Sequence, residues 1–509
     1  MGFANSHVHC QQKVLNLATR LGSHNMNIAL IVYLIFLIVI AVRSARHVKD
    51  IPDFFVARKG AKALAVAGSL VATILGGSAV IGAIDSGARL GGAATWFMLV
   101  GALGLLALIP FAGKAYQHGK YALPDLVENL YGKGPRLVAS LVIPVAWTGI
   151  VAAQIIAAAK LLMTFTSLGY TAAAIIAAAV FTGYTLAGGQ LSILRTDFLQ
   201  ACLIILGLAV LAGFALFCGG SANTVPSLSA ILQGAPAFPF NTNFSPLDLF
   251  LLILTYGTTY TAGPDIFSRV FCARDTITAK KAIAMAALTL IPVAFIIGFL
   301  AVYGVGLGDV QGARITAIAN QVLPQPLIPL IALALLSVVL SSADTTLLSS
   351  SVIICRLFDV SNGKEIPAGV YPGPRSGAGM TPEQVRGRLE SANNRPLTKA
   401  RGVILLNGIV ALLLALVFTD IIGTLLLALA VYAGAFTVPI LWGLLGLKAK
   451  PKFVAAAIMV GGIRALIGKL CPALPGPLGA HTGDILMIAA FVVNGVILAL
   501  GRECQSKQV

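Results

Sequence analysis

Charge is scarce in this chain. Only 10% of its 509 residues are Asp, Glu, Lys or Arg, and 58% are hydrophobic. A soluble domain has no use for so many long apolar runs, several of which reach bilayer-spanning length. The seven cysteines are scattered, without CxxC or other paired spacing, so neither a zinc site nor a disulfide framework is indicated. The first 25 residues lack the compact order of a cleavable signal peptide. No HExxH, nucleophile elbow or acid–base pair sits in an apolar segment, which argues against an enzyme.

The formal net charge of +17 is explained by sidedness along a membrane rather than by nucleic acid. Apolar segments fall at about 26–43, 61–84, 93–113, 137–164, 168–187, 192–218, 247–268, 278–304, 325–355, 402–419, 421–446, 453–468 and 482–500. Thirteen spans place the two termini on opposite sides. Basic residues then decide which: 43–62, 114–136, 269–281 and 448–452 are rich in Lys and Arg, whereas 219–245 has no charged residue. The expected orientation is N-terminus outside and C-terminus cytoplasmic, in the plasma membrane, of bacterial inner-membrane type. The expected organisation is an external tail 1–25, an additional helix 26–45, a first repeat 61–218 and a second repeat 246–446. Two further helices over 451–500 and a cytoplasmic tail 501–509 complete it. The Gly- and Pro-rich tract within 356–401 reads as a cytoplasmic loop.

Two of the apolar segments are interrupted. The second contains Gly76-Gly77-Ser78 near its middle, and the seventh contains Gly257 and Gly263-Pro264. Glycine weakens helix propagation, and proline removes an amide donor. These segments lie five apart, the arrangement expected of two five-helix inverted repeats that each begin with a broken helix. Carbonyls freed at such breaks can serve ions and solutes near the midplane.

Polar residues concentrate in one other place, VVLSSADTTLLSSS at 338–351. Ser341, Thr345 and Ser349 recur at i+4 and share a helix face, with Ser342 beside them. Together with carbonyls near Gly76, these hydroxyls predict a hard-oxygen cage for a small monovalent cation. The alternative is that they bond back to their own helix. Asp344 is a costly acid in lipid, and Asp197 lies in LRTDFLQ, near the start of its span. Both are candidates for an ion path, and either could carry a proton. The i,i+4 pairs Asp265/Arg269 and Asp85/Arg89 read as local salt bridges.

The element GGQLSILRTDFLQ (188–200), the element PDIFSRVF (264–271) and the run LSSADTTLLSSS (340–351) together resemble the sodium:solute symporter family, over about residues 26–445. The hydroxyl run is most similar to its choline-transporting branch. The resemblance implies an all-α integral membrane protein with a LeuT-type five-plus-five inverted repeat and about 13 transmembrane helices. It implies sodium-coupled import of a small organic solute, with Na+ as coupling ion and no other cofactor. It also implies a sodium site formed by the carbonyls of Ala72, Leu75 and Val338 and the side chains of Ser341 and Ser342, with Asp197, Asp344 and Thr345 along the ion path. The substrate region expected between the breaks comprises Gly76, Gly77, Ser78, Trp96, Tyr256, Tyr260 and Tyr432, with Trp147 as a further ring. Ala79 and Tyr256 stand where sugar-transporting relatives carry glutamine and asparagine, which argues against a sugar. A carboxylate, amino acid or amine stays open. Proton coupling is the alternative within transport, and an ion channel the alternative class, although no filter motif is present.

Overall fold

The computed structural model describes residues 28–48, 50–166, 168–218, 234–308, 310, 313–361, 395–418, 421–470 and 482–502. The expected tail 1–25, most of the loop 356–401 and nearly all of the tail 501–509 lie outside these, as does the side chain of Ser78. Among the described residues the regular structure is helical, and β pairing is limited to three isolated bridges. Nine helices there are long and apolar enough to cross a membrane, and the molecule is a multi-pass membrane protein.

Apart from the short helices Ile51–Val56 and Arg314–Val322, the helices in chain order are α1 (Ile28–Ala45), α2 (Ala63–Ile74), α3 (Ala83–Leu90), α4 (Thr95–His118), α5 (Leu123–Tyr131), α6 (Lys133–Phe165) and α7 (Tyr170–Cys218). They continue as α8 (Pro246–Leu252), α9 (Thr258–Ala262), α10 (Pro264–Val270), α11 (Thr276–Val305) and α12 (Ile328–Ser361). The last four are α13 (Arg395–Val417), α14 (Ile421–Leu444), α15 (Pro451–Leu470) and α16 (Thr482–Leu500). The difference from thirteen continuous spans has physical causes. The segment 247–268 is divided into α8, a π-turn at Ile253–Gly257, α9 and α10, each too short to cross alone. The segment 61–84 ends as a helix at Ile74 and resumes through a π-turn at Ser78–Gly82 into α3. Conversely, the spans expected at 168–187 and 192–218 run on as α7, turned at Gly189.

Gly189 has φ 54° and ψ −151°, a backbone region essentially closed to side chains. A Cβ there would also lie 2.6 Å from the Phe54 ring, so the turn packs directly on the short helix Ile51–Val56. A second close approach joins α4 to the second interrupted segment: a Cβ on Gly104 would sit 2.3 Å from the Gly257 carbonyl oxygen. Small residues at such crossings let backbones approach where no hydrophobic force drives helix association in lipid.

The core is α12, sandwiched between α6 and α7 and touching α2 and α10. Its residues from Val338 to Ser351 are buried, whereas α1 leaves Ile31, Val32, Ile35 and Ile38 exposed, as a lipid-facing helix should. At one end of α12, Arg356 donates to Asp125 Oδ1 (2.8 and 3.2 Å), whose other oxygen accepts the Tyr121 and Ala122 amides. Arg136 bridges Glu128 beside it. These bonds fasten α5 across the end of α12.

Replacing Gly189 by alanine is expected to cost at least about 1–3 kcal/mol from backbone strain alone. The melting temperature in detergent should fall clearly, whereas Gly183→Ala, whose Cβ would meet no atom within 4 Å, should leave it unchanged.

Candidate binding site at two interrupted helices

The first helix stops where its sequence turns to Leu75-Gly76-Gly77. Leu75 leaves helical geometry at φ −74° and ψ 50°, so the last carbonyls of α2 have no intrahelical partner of their own. The hydroxyls of α12 meet them. Ser341 Oγ donates to Ala72 O at 2.9 Å and lies 3.3 Å from Val338 O, while Ser342 Oγ donates to Thr73 O at 2.9 Å. A Cβ on Gly76 would sit 2.6 Å from Ser342 Oγ, so only glycine leaves room for that hydroxyl. Of the five positions expected to hold an ion, Ala72 O, Val338 O and Ser341 Oγ meet, whereas Ser342 Oγ pairs with the neighbouring Thr73 O and Leu75 lies at the end of α2. Uncharged oxygens of this kind suit a hard, weakly charged cation.

The i+4 row of α12 continues into a buried polar cluster. Arg269 on α10 is fully buried and reaches three other elements. Its Nε donates to Ser69 Oγ (3.1 Å), one terminal nitrogen to Ser268 Oγ (2.9 Å), and the other to Asp197 Oδ2 (3.3 Å) and Thr345 Oγ1. Ser69 also donates to Asp197. Asp197 and Asp344 are both inaccessible, and one oxygen of each, Oδ1 and Oδ2 respectively, has no hydrogen-bond partner. This corrects the local pairing expected from spacing. The ion pair of Arg269 among the described residues is to Asp197 on α7, not to Asp265 on its own helix. Asp85 likewise accepts the Arg314 amide at 2.7 Å, and no ion pair to Arg89 occurs among the described residues. In both cases a partner from a distant segment is better placed than the i+4 neighbour.

Between the two breaks lies a cavity of about 50 Å³. Gly76, Ala79, Trp147, Gln154, Tyr256, Thr259, Tyr260, Asp265, Ser342 and Thr346 are among its lining residues. Of the expected substrate residues, Gly76, Tyr256 and Tyr260 line it, and the indole of Trp147 does too. Gly77 backs it, with Gln154 Oε1 3.2 Å from where its Cβ would be. Tyr432 stands behind Trp147, ring centroids 4.5 Å apart, with its hydroxyl on Ala262 O. Trp96 is elsewhere: its indole donates to Pro239 O at 3.0 Å and stacks on Phe238. Sequence reasoning missed Gln154, Thr259 and the cavity-facing role of Asp265, whereas Thr346 belongs to the polar run 338–351 that it singled out. Gln154 had a signal, being an isolated amide in the apolar run of α6.

Hydroxyls of α12 that meet the end of one broken helix, beside a cavity lined by both, give this multi-pass membrane protein a polar site among its spanning helices. The chain belongs to the sodium:solute symporter family, whose model matches residues 54–359. It is 26% identical over 268 residues to the sodium/proline symporter of Haemophilus influenzae; the match covers 48% of this chain and about half, 51%, of that relative. In fold it is similar to a Na+-coupled sialic acid symporter solved in a substrate-bound outward-open state. That match has TM-score 0.67 and 19% identity, and covers 92% of this chain and 98% of the other. It is also similar to a nucleobase-cation-symport-1 family transporter solved closed with bromovinylhydantoin bound, with TM-score 0.53 and 14% identity over 88% and 94% of the two chains. These neighbours give the chain a LeuT-type transporter fold.

Breaking the buried pair from one side leaves an uncompensated charge, at a cost of about 3–5 kcal/mol. Arg269→Met should therefore lower the melting temperature sharply, and Arg269→Met combined with Asp197→Asn should recover much of the loss. Equal melting of single and double variants would remove Asp197 as the partner that matters.

Proposed function

We propose that this chain is a sodium-coupled symporter that imports a small organic solute by alternating access. The observation that carries the reading is the convergence of Ser341 and Ser342 on the carbonyls at the end of α2, one residue from a cavity that the second broken helix also lines. Sodium would be held by the carbonyls of Ala72, Leu75 and Val338 and the hydroxyls of Ser341 and Ser342. With no carboxylate among these ligands, binding is weak enough for release at each cycle. Sodium held there ties α2 to α12 and fixes the wall of the cavity, so the solute meets an ordered site. The membership in a sodium symporter family and the sodium coupling in the name of the Haemophilus relative support this reading.

The reading includes thirteen spans, with α2–α7 and α8–α14 as two inverted five-helix repeats, α1 as an extra helix, and α15 and α16 at the end. It also includes the orientation given by the basic loops, in a plasma membrane of bacterial type. Proton coupling is the second reading, favoured by the partnerless oxygens of Asp197 and Asp344. Uptake that persists without sodium under an imposed pH gradient would select it.

Ser341→Ala and Ser342→Ala should each raise the sodium concentration for half-maximal uptake by about tenfold, the worth of one ion–oxygen contact. The loss of sodium affinity should exceed any loss of protein level. Sodium-titrated uptake in proteoliposomes measures this, and an unchanged sodium requirement in both variants sinks the assigned site.

A further inference from the structure

Among the described residues, the cavity between the breaks carries one carboxylate, Asp265, and no basic side chain. Ser342 has given its hydroxyl proton to Thr73 O (2.9 Å), Thr346 to Ser342 O (2.7 Å) and Thr259 to Tyr256 O (2.6 Å). What these hydroxyls still offer a solute is lone pairs. Gln154 is 4% exposed, and its Oε1 is a buried acceptor without a hydrogen-bond partner. Asp265 adds a carboxylate, and none of the ion pairs among the described residues uses it. No Lys, Arg or His lines the cavity, whereas Trp147, Tyr256 and Tyr260 contribute aromatic rings.

A buried acceptor left unpaired is costly, so the natural occupant is a group that donates. A carboxylate would instead face Asp265 with no basic side chain to receive it. A quaternary ammonium would satisfy the charge and the rings but has no N–H for Gln154 Oε1. Trp147 Nε1, also buried and without a partner, adds one donor suited to an acceptor elsewhere on the solute.

We infer that the solute of this site is a small protonated primary or secondary amine, its N–H groups taken by Asp265 and Gln154 and its charge held over the aromatic rings. This rests on the symport reading above and narrows it. The cavity of about 50 Å³ suits a small solute, and an acceptor such as a hydroxyl would engage Trp147 Nε1.

Ethanolamine has these features; tetramethylammonium keeps the positive charge without an N–H or an acceptor, and propionate has neither the N–H nor the positive charge. The full chain in detergent is melted in sodium chloride against potassium chloride, and then in sodium with each of the three probes. Sodium should raise the melting temperature, and ethanolamine alone of the three should raise it further. Asp265→Asn and Gln154→Leu should each weaken the ethanolamine response by at least about tenfold in concentration, as expected for a charge-assisted hydrogen bond. Both variants should keep the full sodium response, which shows that they are folded. Sodium stabilisation with a response to propionate or tetramethylammonium in place of ethanolamine overturns the amine and leaves symport standing. Sodium stabilisation with no ethanolamine response does the same. Absence of the sodium response overturns both.

Discussion

Everything in this site follows from one constraint: a backbone carbonyl released by a helix break inside a bilayer must find a donor in the protein. No water competes for it in the hydrocarbon, and an unmet carbonyl costs several kcal/mol. Ser341 and Ser342 meet that need for Ala72 and Thr73. The same bonds bring hydroxyl lone pairs and carbonyl oxygens together along the last turn of α2. A group of oxygens gathered to satisfy a broken helix is already most of a cation site, because the atoms that accept a proton are those that ligate a hard ion. In the proposed sodium site, the stability of the break and the affinity for the ion would therefore rest on the same atoms.

The second burden is Arg269. A guanidinium removed from solvent needs several partners at fixed angles, and its planar fork can use them where a lysine could not. Here Ser69, Ser268, Asp197 and Thr345 surround it, contributed by α2, α10, α7 and α12. The arginine thus locks α10, the continuation of the second broken helix, to α2, the first part of the first broken helix. Two carboxylates, Asp197 and Asp344, accompany this one arginine in a fully buried setting. The cluster has acceptor capacity beyond what the arginine uses, as the partnerless oxygens show.

Much of this was legible in the sequence, and the reason is that it was encoded locally. Gly76-Gly77 and Gly263-Pro264 announce breaks by backbone chemistry alone, and helices end at Ile74 and Ala262 beside them. The i+4 recurrence of Ser341, Thr345 and Ser349 predicted a common face, and these hydroxyls do meet Ala72, Arg269 and Ser268 in turn. What was not legible depended on tertiary proximity. Arg269 has an acid one helical turn earlier, so spacing favoured Asp265, but the fold brings Asp197 across from a segment 72 residues away. Trp96 looked like a cage residue by type, yet its indole is engaged by Pro239 O in a loop that no periodicity foretells. Gln154 was overlooked because one amide in a long apolar run carries no pattern, although in lipid that isolation is itself the signal.

The arrangement of α12 bears on how ion and solute would be coupled. One of its rows, Ser341, Thr345 and Ser349, faces the first broken helix and the arginine cluster. The adjacent row, Ser342 and Thr346, lines the cavity. Ser342 belongs to both settings, because its hydroxyl binds Thr73 O while its side chain borders the solute space beside Gly76. Coupling between two ligands needs only that each favour the same arrangement of shared groups. Two ligands that meet at one serine and one glycine need no long path through the protein. The reciprocity required by linkage would then operate across a single helix turn, with the two broken helices supplying the parts that move.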